Sequence, residues 1–508
     1  MLKKLFSRAV LTALIVLIEV ALIALSAAFF SETILWLKII GSVAGVLTAI
    51  FVINKKQPAE LKLPWIILLT VVPMLGTVIY IFLGNAHFNK KEQRAIANLT
   101  EKLSEYLKTP EREKEQVKNE CGRFFGIASY LGKKTTSSVS SGNHTEFLPS
   151  GETFFKSLLA DIKTAEKFIF MEYFIIEEGK MWDSILDVLK EKVSQGVEVR
   201  VLYDDIGCAG KLKGRYYKTL NSYGIKSRKF NAITLRPSGV FNNRDHRKIT
   251  VIDGVIGYMS GINLADEYIN EKQPFGYWKD TGVRVSGKSV ATLTALFLTM
   301  YDYKQKVLPE DYSAYFPKKY PVFNESGCVI PFGCGPLYPY DYQVGRTAII
   351  SLLASAKHKA YVTTPYLIID HEFLNAISTA SLRGVDVKVI TPGIPDKKFV
   401  HSMTRSSYMT LLKNGVEIYE YTPGFMHAKQ ILIDNDAAFV GTINLDYRSL
   451  AHHFECGAII ANSPVVNEIQ KDFDEILSAS KRMTVESSSQ NPFVRLVLSV
   501  FALFRTLL

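Results

Sequence analysis

An internal repeat in the region after residue 150 constrains the fold of this chain more than any other feature of its sequence. Three segments recur in the same order, and the offset between copies drifts only from 193 to 188 to 181 residues, at Phe168 and Tyr361, Gly196 and Gly384, and His246 and His427. In each half, strand-like runs alternate with helix-like stretches, which is typical of α/β units. The sequence therefore predicts two pseudo-symmetric α/β domains, each a mixed and largely parallel sheet flanked by helices.

The composition fits a folded protein with a strongly apolar part. The chain has 508 residues, 48% hydrophobic and 21% charged, and a formal net charge of +11. These values exclude intrinsic disorder. Its five cysteines include no C-x-x-C pair, so neither a disulfide scaffold nor a structural zinc site is expected.

Three apolar runs occupy the N-terminal part, at residues 10–30, 34–53 and 64–83. Each is close to the roughly 20 residues that a helix needs to cross a hydrocarbon core, so residues 1–88 are predicted to form transmembrane helices. A cleaved signal peptide is the alternative for the first run, although that run is long and a second follows at once. Basic residues flank both ends, and the membrane face that carries the rest of the chain stays open.

The other boundaries follow from composition and from the repeat. Residues 89–145 are charged and are interpreted as a tether. Residues 146–320 and 321–485 are the two repeated domains. The apolar tail, 486–508, is too short to span a bilayer comfortably and is predicted to lie in the membrane interface. A helix packed on the protein core is the alternative for the tail.

Each half contains one H-x-K-x4-D motif, formed by His246, Lys248 and Asp253 and by His427, Lys429 and Asp434. On a strand, a histidine and a lysine two residues apart project from the same face. Each aspartate has the opposite parity and precedes Gly254 or Asn435, so it is predicted to sit at a turn and to have a mainly structural role.

A return strand after each turn would bring further polar side chains back beside the histidine. These candidate substrate-binding residues are Ser260, Asn263, Thr442 and Asn444. An imidazole, an ammonium, an amide and a hydroxyl around one pocket suit a phosphate diester. Two histidines related by a pseudo-twofold axis would supply a nucleophile on one side of phosphorus and a proton donor on the other. This chemistry requires no metal and no other cofactor.

A histidine nucleophile needs an acceptor at its other ring nitrogen to fix its tautomer. When the copies are aligned on Asn263 and Asn444, Asp280 and Glu455 fall opposite each other at the start of apolar strands. These two acids are predicted to orient the histidines, and acids in surface ion pairs are the alternative. The other isolated histidines are interpreted as pocket lining or solvated surface: His401, His452 and His453.

The two motifs resemble those of the phospholipase D superfamily, and residues 73–84 and the apolar tail resemble those of bacterial cardiolipin synthases. The resemblance implies phospholipase D-like domains and a multi-pass phosphatidyltransferase of the bacterial cell membrane. Its reaction would convert two phosphatidylglycerol molecules into cardiolipin and glycerol through a covalent phosphatidyl-histidine. The resemblance makes His246 the nucleophile and His427 the acid and base, and it counts the motif lysines and aspartates as catalytic. Ser260-Gly261 departs from the more usual Gly-Gly.

The positive charge favours an anionic membrane as a partner. Residues that precede the first motif are candidates for the headgroup site: Tyr203, Asp204, Arg215, Arg236, Asn242 and Arg244. The motifs do not specify the acceptor, so a hydrolase or a transferase to another alcohol are alternatives. A nuclease would not need the apolar spans, and no nucleic-acid partner is expected. A silent membrane scaffold would not need paired histidines, and the oligomeric state stays open.

Overall fold

The computed structural model describes residues 33–84, 90–135, 137–232, 243–305, 307–336, 343–488 and 491–502. The chain divides into two compact units, Met1–Asn85 and Ala86–Leu508. The repeat and both motifs lie in the second unit.

The helices are α1 (Thr33–Ile53), α2 (Ala59–Val71), α3 (Pro73–Leu83), α4 (Lys90–Ser104), α5 (Glu111–Cys121), α6 (Phe125–Lys134), α7 (Gly151–Ile162), α8 (Lys180–Ser194), α9 (Tyr216–Ser222), α10 (Val290–Asp302), α11 (Val344–Ala354), α12 (His371–Leu382), α13 (Lys398–Lys413), α14 (Tyr447–Ala451), α15 (Val465–Ser478) and α16 (Pro492–Ala502). Short 3₁₀ turns occupy Glu105–Leu107, Gly122–Phe124, Asp266–Ile269 and Ser313–Tyr315. The strands are β1 (His144–Leu148), β2 (Phe168–Tyr173), β3 (Glu198–Asp204), β4 (Lys226–Phe230), β5 (Arg244–Asp245), β6 (Lys248–Ile252), β7 (Ile256–Ser260), β8 (Tyr277–Lys279), β9 (Gly282–Ser286), β10 (Cys328–Cys334), β11 (Lys359–Thr363), β12 (Leu367–Ile368), β13 (Asp386–Pro392), β14 (Glu417–Tyr421), β15 (Gly424–Met426), β16 (Gln430–Ile433), β17 (Ala437–Gly441), β18 (Leu445–Asp446), β19 (His453–Ala461) and β20 (Ser480–Met483).

In the described part of the N-terminal unit, α1 packs with α2 and α3. Within the described ranges, α1 alone is long and apolar enough to cross a membrane, with a mean hydropathy of 2.1 over Trp36–Ile53. The third apolar run is broken at Val72, where Pro73 begins α3, so α2 and α3 have 13 and 11 residues. A Cβ on Gly45 would lie 2.6 Å from Pro73 Cβ, so α1 approaches this break closely. The first run, 10–30, lies outside the described residues.

The second unit contains two large sheets related by the repeat and two short two-stranded sheets, β12-β18 and β15-β8. The strand orders of the large sheets are β1-β9-β7-β6-β2-β3-β4 and β10-β19-β17-β16-β11-β13-β14-β20. The run β2-β3-β4 and its counterpart β11-β13-β14 are parallel, and the other neighbours along each order are antiparallel. The prediction of mixed α/β domains is confirmed. The prediction of largely parallel sheets is wrong, because each motif strand turns back on itself as a hairpin, β6–β7 or β16–β17.

The motif aspartates occupy the turns of these two hairpins. Asp253 and Asp434 adopt left-handed φ values of 51° and 52°. The carboxylate of Asp253 accepts hydrogen bonds from the backbone N–H groups of residues 166–168, all at 2.8 Å. That of Asp434 accepts them from residues 357–359. Each aspartate thus ties its turn to the start of the neighbouring strand, at the opposite end of the motif strand from the lysine.

Each half lends a short strand to the other half. β5, which precedes the first motif, pairs in parallel with β19, and β15, which precedes the second motif, pairs in parallel with β8. This reciprocal exchange brings the two motif histidines to the junction between the halves.

The segment interpreted as a tether packs on the two domains. Leu99 and Leu103 of α4 are buried in the core that surrounds α10, and Leu131 of α6 is buried in the core of the second half. A disulfide joins Cys121 to Cys328 of β10, with Cα atoms 5.5 Å apart. The segment is therefore integrated into the second unit by packing and by one covalent link.

The C-terminal helix α16 is only partly packed. Leu498 is buried against Ile368, Met403 and Tyr447. Phe501 on the same helix is 43% exposed. The helix thus presents apolar surface both to the protein and to its surroundings, and its place in the membrane interface stays a prediction.

Candidate active site

The motif histidines follow directly from the two exchanged strands. The backbone N–H of His246 donates to the carbonyl of Phe454 at 2.9 Å, and that of His427 donates to the carbonyl of Lys279 at 2.7 Å. Both histidines are 8% exposed. Each is thus fixed by backbone pairing to a strand of the opposite half.

The acids predicted to orient the histidines lie beside them, and each acid comes from the opposite half. His246 Nδ1 lies 2.9 Å from Glu455 Oε2, and His427 Nδ1 lies 2.5 Å from Asp280 Oδ2. Both acids are fully buried. A carboxylate accepts the Nδ1 proton, which leaves Nε2 of each ring unprotonated. The exchange of β5 and β15 explains the crossed pairing, because it lays each histidine along the strand that leads to the other acid.

The two acids have different surroundings. Glu455 accepts hydrogen bonds from the hydroxyl groups of Thr442 and Ser449, the second at 2.6 Å. Asp280 accepts one from a backbone N–H at 2.9 Å and lies against Gly261, where a Cβ would be 2.2 Å from Asp280 Oδ1. The hydroxyl of Thr442, predicted to bind substrate, is therefore engaged with Glu455. The two equivalent positions therefore differ: Glu455 is the longer acid and has two hydroxyl donors, whereas Asp280 is the shorter acid and fits only because residue 261 is a glycine.

The motif lysines are buried beneath the histidines. Lys248 Nζ donates to the carbonyl of His246 at 2.5 Å, and Lys429 Nζ donates to the carbonyl of His427 and lies 2.8 Å from its Nδ1. Burial lowers the pKa of Lys248 to about 8 and that of Lys429 to about 7, against the opposing effect of nearby carboxylates. An anion that enters the site would raise both pKa values and favour the charged lysines, as expected for groups that bind phosphate.

Burial also lowers the pKa of both motif histidines. The pKa of His427 falls to about 4, with burial as the largest cause and the charge of Lys429 as the second, whereas Asp280 raises it. The pKa of His246 lies well below its usual value because of burial and then the charges of Lys248 and Lys429. Both rings are therefore neutral near pH 7, the state in which an imidazole is a nucleophile or a base.

The other predicted substrate-binding residues differ in how they are engaged. Asn263 accepts a backbone hydrogen bond at 2.9 Å and donates to the hydroxyl of Tyr268 at 2.6 Å, and this ring lies 5.4 Å from that of His427. Asn444 Oδ1 is buried and has no hydrogen-bond partner among the described residues. The hydroxyl of Ser260 accepts a local backbone N–H at 3.2 Å. Of this set, the amide oxygen of Asn444 is left without a protein partner in the described part of the chain.

The candidate headgroup residues that the structure describes are partly engaged in protein contacts and partly exposed. Asp204 Oδ2 accepts the backbone N–H of Asp245 at 3.0 Å and lies 3.1 Å from Arg244 Nε, so this buried pair holds β5 in place. The hydroxyl of Tyr203 accepts a backbone N–H at 3.0 Å, and Arg215 is exposed at the start of α9. Two more candidates lie outside the described residues: Arg236 and Asn242.

Two further residues at the site, Ser449 and Trp278, were not singled out from the sequence, and His453 was interpreted as pocket lining or solvated surface. Ser449 bonds Glu455, and the ring centroids of His453 and Trp278 lie 5.4 Å from that of His246 and 5.2 Å from that of His427. Aligning the two copies would have identified the last two, because each precedes an orienting acid by two residues. Ser449 falls opposite a tyrosine, and this change of residue type hides its position.

One group of side chains near the first histidine has the spacing of metal ligands. Ligand atoms of His246, His453 and Glu455 all lie within 4.8 Å of one another. The Glu455 carboxylate already accepts hydrogen bonds from His246 and from two hydroxyl groups. Binding a metal there would replace these bonds, and the expectation of a metal-free reaction stays a prediction.

This chain is similar to known proteins, and one family of domains matches it once in each half. The family described as "Cardiolipin synthase, PLD-like domain" matches residues 158–281 and 349–477, and "Phospholipase_D-nuclease N-terminal" matches residues 43–85. An uncharacterized protein of Streptococcus mutans is 39% identical over 86% of this chain and 94% of its own length. A cardiolipin synthase of Geobacillus kaustophilus is 32% identical over 98% of this chain and 99% of its own. The solved phosphatidylserine synthase of Haemophilus influenzae has a TM-score of 0.54 at 18% identity, over 72% of this chain and 95% of that one.

These matches agree with the geometry. One segment of the first family match lies in each half. The first segment includes His246 and Asp280, and the second includes His427 and Glu455. The solved structure supports the fold, and the relatives of full length carry the family assignment. The chain belongs to the cardiolipin synthase family of the phospholipase D superfamily.

Proposed function

We propose that this chain is a cardiolipin synthase, which transfers the phosphatidyl group of one phosphatidylglycerol to a hydroxyl group of a second and releases glycerol. The carrying observation is the crossed pair of buried histidines, each with Nδ1 on an acid of the opposite half. Such a pair provides one nitrogen for attack on phosphorus and one for proton transfer. Family membership supports a phospholipid as substrate.

In the first step, Nε2 of His246 attacks the phosphorus atom of bound phosphatidylglycerol. A nitrogen–phosphorus bond forms while the bond to the glycerol oxygen breaks, and His427 donates a proton to that oxygen. The electrostatics support this division of roles. Burial and then the charges of Lys248 and Lys429 lower the pKa of His246, whereas Asp280 raises the pKa of His427 against burial and the charge of Lys429. The negative charge of the bound phosphate would counteract the lowered pKa of His427, so that its Nε2 takes up from solvent the proton that it donates in this step.

In the second step, His427 accepts the proton of an incoming hydroxyl group. The hydroxyl oxygen of a second phosphatidylglycerol attacks phosphorus, the nitrogen–phosphorus bond breaks, and His246 is regenerated. Both steps exchange one phosphate ester or phosphoramidate bond for another, so the reaction needs no nucleotide and is reversible. The buried ammonium groups of Lys248 and Lys429 neutralise the phosphate, and Asn444 Oδ1 is available to a substrate hydroxyl.

Membrane attachment supports access to lipid substrates. α1 supplies one helix of sufficient length, and we propose that further apolar segments make the protein multi-pass in the bacterial cell membrane. The net charge of +11 favours an anionic bilayer. The exposed apolar side of α16 would add an interfacial contact.

The function is tested with purified protein in mixed micelles that contain labelled phosphatidylglycerol as the only phospholipid. Cardiolipin and glycerol are expected in equal amounts, with a phosphatidyl adduct on His246 in protein denatured at alkaline pH, where a nitrogen–phosphorus bond is stable. His246→Ala should abolish both, and His401→Ala, a histidine paired with Glu420 outside the motifs, should not. Phosphatidic acid as the main product would instead identify a hydrolase.

A further inference from the structure

Two residues at the active site carry buried side-chain nitrogens without a partner. Trp278 Nε1 and both ring nitrogens of His453 have no hydrogen-bond partner in the part of the chain that the structure describes. His453 Nδ1 lies 3.6 Å from Glu455 Oε1, which is too long for a hydrogen bond. Buried polar groups in folded proteins are nearly always paired. Unpaired groups at an active site therefore point to a ligand that completes them.

These two residues are equivalent in the repeat. Trp278 precedes Asp280 by two positions and His453 precedes Glu455 by two, so along extended chain each projects to the same side as its acid. The ring of Trp278 lies 5.2 Å from that of His427, and the ring of His453 lies 5.4 Å from that of His246. Each histidine of the catalytic pair is therefore flanked by a ring from the opposite half that carries at least one unpartnered nitrogen.

The chemistry of the two rings limits what they can bind. The indole offers one N–H donor and no acceptor. Burial lowers the pKa of His453 to about 3, so its imidazole is neutral and also offers one N–H donor. The non-bridging oxygens of a phosphodiester accept hydrogen bonds and donate none. Two donors related by the pseudo-twofold axis match the two equivalent oxygens of such a group.

We propose that Trp278 and His453 donate their N–H groups to the non-bridging oxygens of the reacting phosphodiester, one from each half of the molecule. The inference rests on the proposed function and extends it to the residues that hold the phosphorus atom between the two histidines. Negative charge on these oxygens grows as phosphorus becomes five-coordinate, so the two hydrogen bonds strengthen in the transition state. Their loss should lower kcat as well as weaken binding.

Substitutions that keep the ring and remove the donor test this proposal in the full-length protein. Trp278→Phe and His453→Phe are each expected to lower kcat/KM by about 10- to 100-fold, the effect of losing one hydrogen bond to a charged group. His453→Gln, which keeps an N–H donor, should recover part of the loss. The matched control is Trp182→Phe, because Trp182 Nε1 donates to the hydroxyl of Tyr216 at 2.7 Å inside the core. This control should keep kcat/KM within twofold in folded protein.

Binding of a water-soluble diester separates this inference from the proposed function. Glycerophosphoglycerol is titrated calorimetrically into His246→Ala protein, which prevents turnover, with and without each donor substitution. The Kd is expected to rise at least tenfold when a donor is removed. Unchanged Kd and unchanged kcat/KM for the variants would overturn the proposal, as would lost activity with unchanged Kd. If wild-type protein made no cardiolipin but the diester Kd still depended on both donors, the proposed function would fail and this inference would stand. If Trp278→Phe does not fold, the His453→Phe and His453→Gln pair decides alone.

Discussion

Replacing Glu455 by Gln tests whether the acid of one half sets the protonation of the histidine in the other. The carboxylate accepts from His246 Nδ1 at 2.9 Å, from the hydroxyl of Ser449 at 2.6 Å and from that of Thr442. An amide has one acceptor oxygen, so its NH₂ group must face at least one of these donors. When the NH₂ group faces Nδ1, the ring proton moves to Nε2 and the attacking lone pair is lost.

The expected loss has two parts. Removing a hydrogen bond between His246 and a charged acceptor costs about 1.5–3 kcal/mol, or roughly 10- to 150-fold in rate. Holding the ring in the wrong tautomer adds to this, and an acid-to-amide change in a comparable catalytic triad lowers kcat by about 10⁴-fold. We therefore expect Glu455→Gln to lower kcat by about 10²- to 10⁴-fold while the protein stays folded.

The assay follows initial rates of cardiolipin formation together with the phosphatidyl adduct on His246 in rapidly quenched samples. The adduct should form at the same reduced rate, because the substitution acts on the nucleophile. Glu420→Gln is the matched control, since Glu420 is a buried acid paired with Arg405 at 2.8 Å outside the motifs, and its kcat should stay near that of the wild type. A kcat of Glu455→Gln within fivefold of the wild type, with normal adduct formation, would refute the reasoning.

Three further predictions follow from the site. Between pH 5 and 9, kcat/KM should increase toward the acidic end, because burial holds the pKa of His427 at about 4 and more of this ring is then protonated for the first step, and it should fall more steeply above pH 7 as Lys429, with a pKa of about 7, loses its proton; a decline in kcat/KM from pH 7 to pH 5 would contradict this. Asp253→Ala removes three hydrogen bonds to backbone N–H groups and should cost about 3 kcal/mol or more in unfolding free energy, measured by denaturant titration, with little change in the kcat of folded protein. Gly261→Ala should lower kcat about 100-fold in the same transfer assay by displacing the acid beside it, whereas Gly126→Ala, with open space around its Cβ, should not.

Local sequence rules were sufficient for the features that depend on neighbouring residues. Period-two spacing predicted that each motif lysine lies beside its histidine, and Lys429 Nζ lies 2.8 Å from His427 Nδ1. The aspartate before a turn-forming residue identified both hairpin turns. Alignment of the copies identified Asp280 and Glu455 as equivalent acids. Each of these inferences needs only the geometry of one strand, one turn or one repeat.

Contacts between the halves were beyond the reach of those rules. β5 and β15 are two and three residues long, too short for a recognisable strand pattern, yet their exchange decides which acid meets which histidine. The role of Thr442 also depends on this exchange, because its hydroxyl bonds an acid that belongs to the site only after the halves meet. The packing of the charged segment 89–145 on the domains was not predicted for a related reason, since the apolar residues that pack it there are few and widely spaced.

The crossed arrangement makes the active site a property of both halves together. Neither half can orient its own histidine, because the acid that accepts the Nδ1 proton belongs to the other half. Equivalent positions also differ in a consistent direction: Glu455 has two hydroxyl donors that stabilise its charge, whereas Asp280 is packed against Gly261 with one backbone donor. A carboxylate that accepts fewer other hydrogen bonds interacts more strongly with the neighbouring imidazole and favours the protonated imidazole. The duplicated site is therefore electrostatically unequal, which supports the proposed division of proton transfer to His427 and attack on phosphorus to His246.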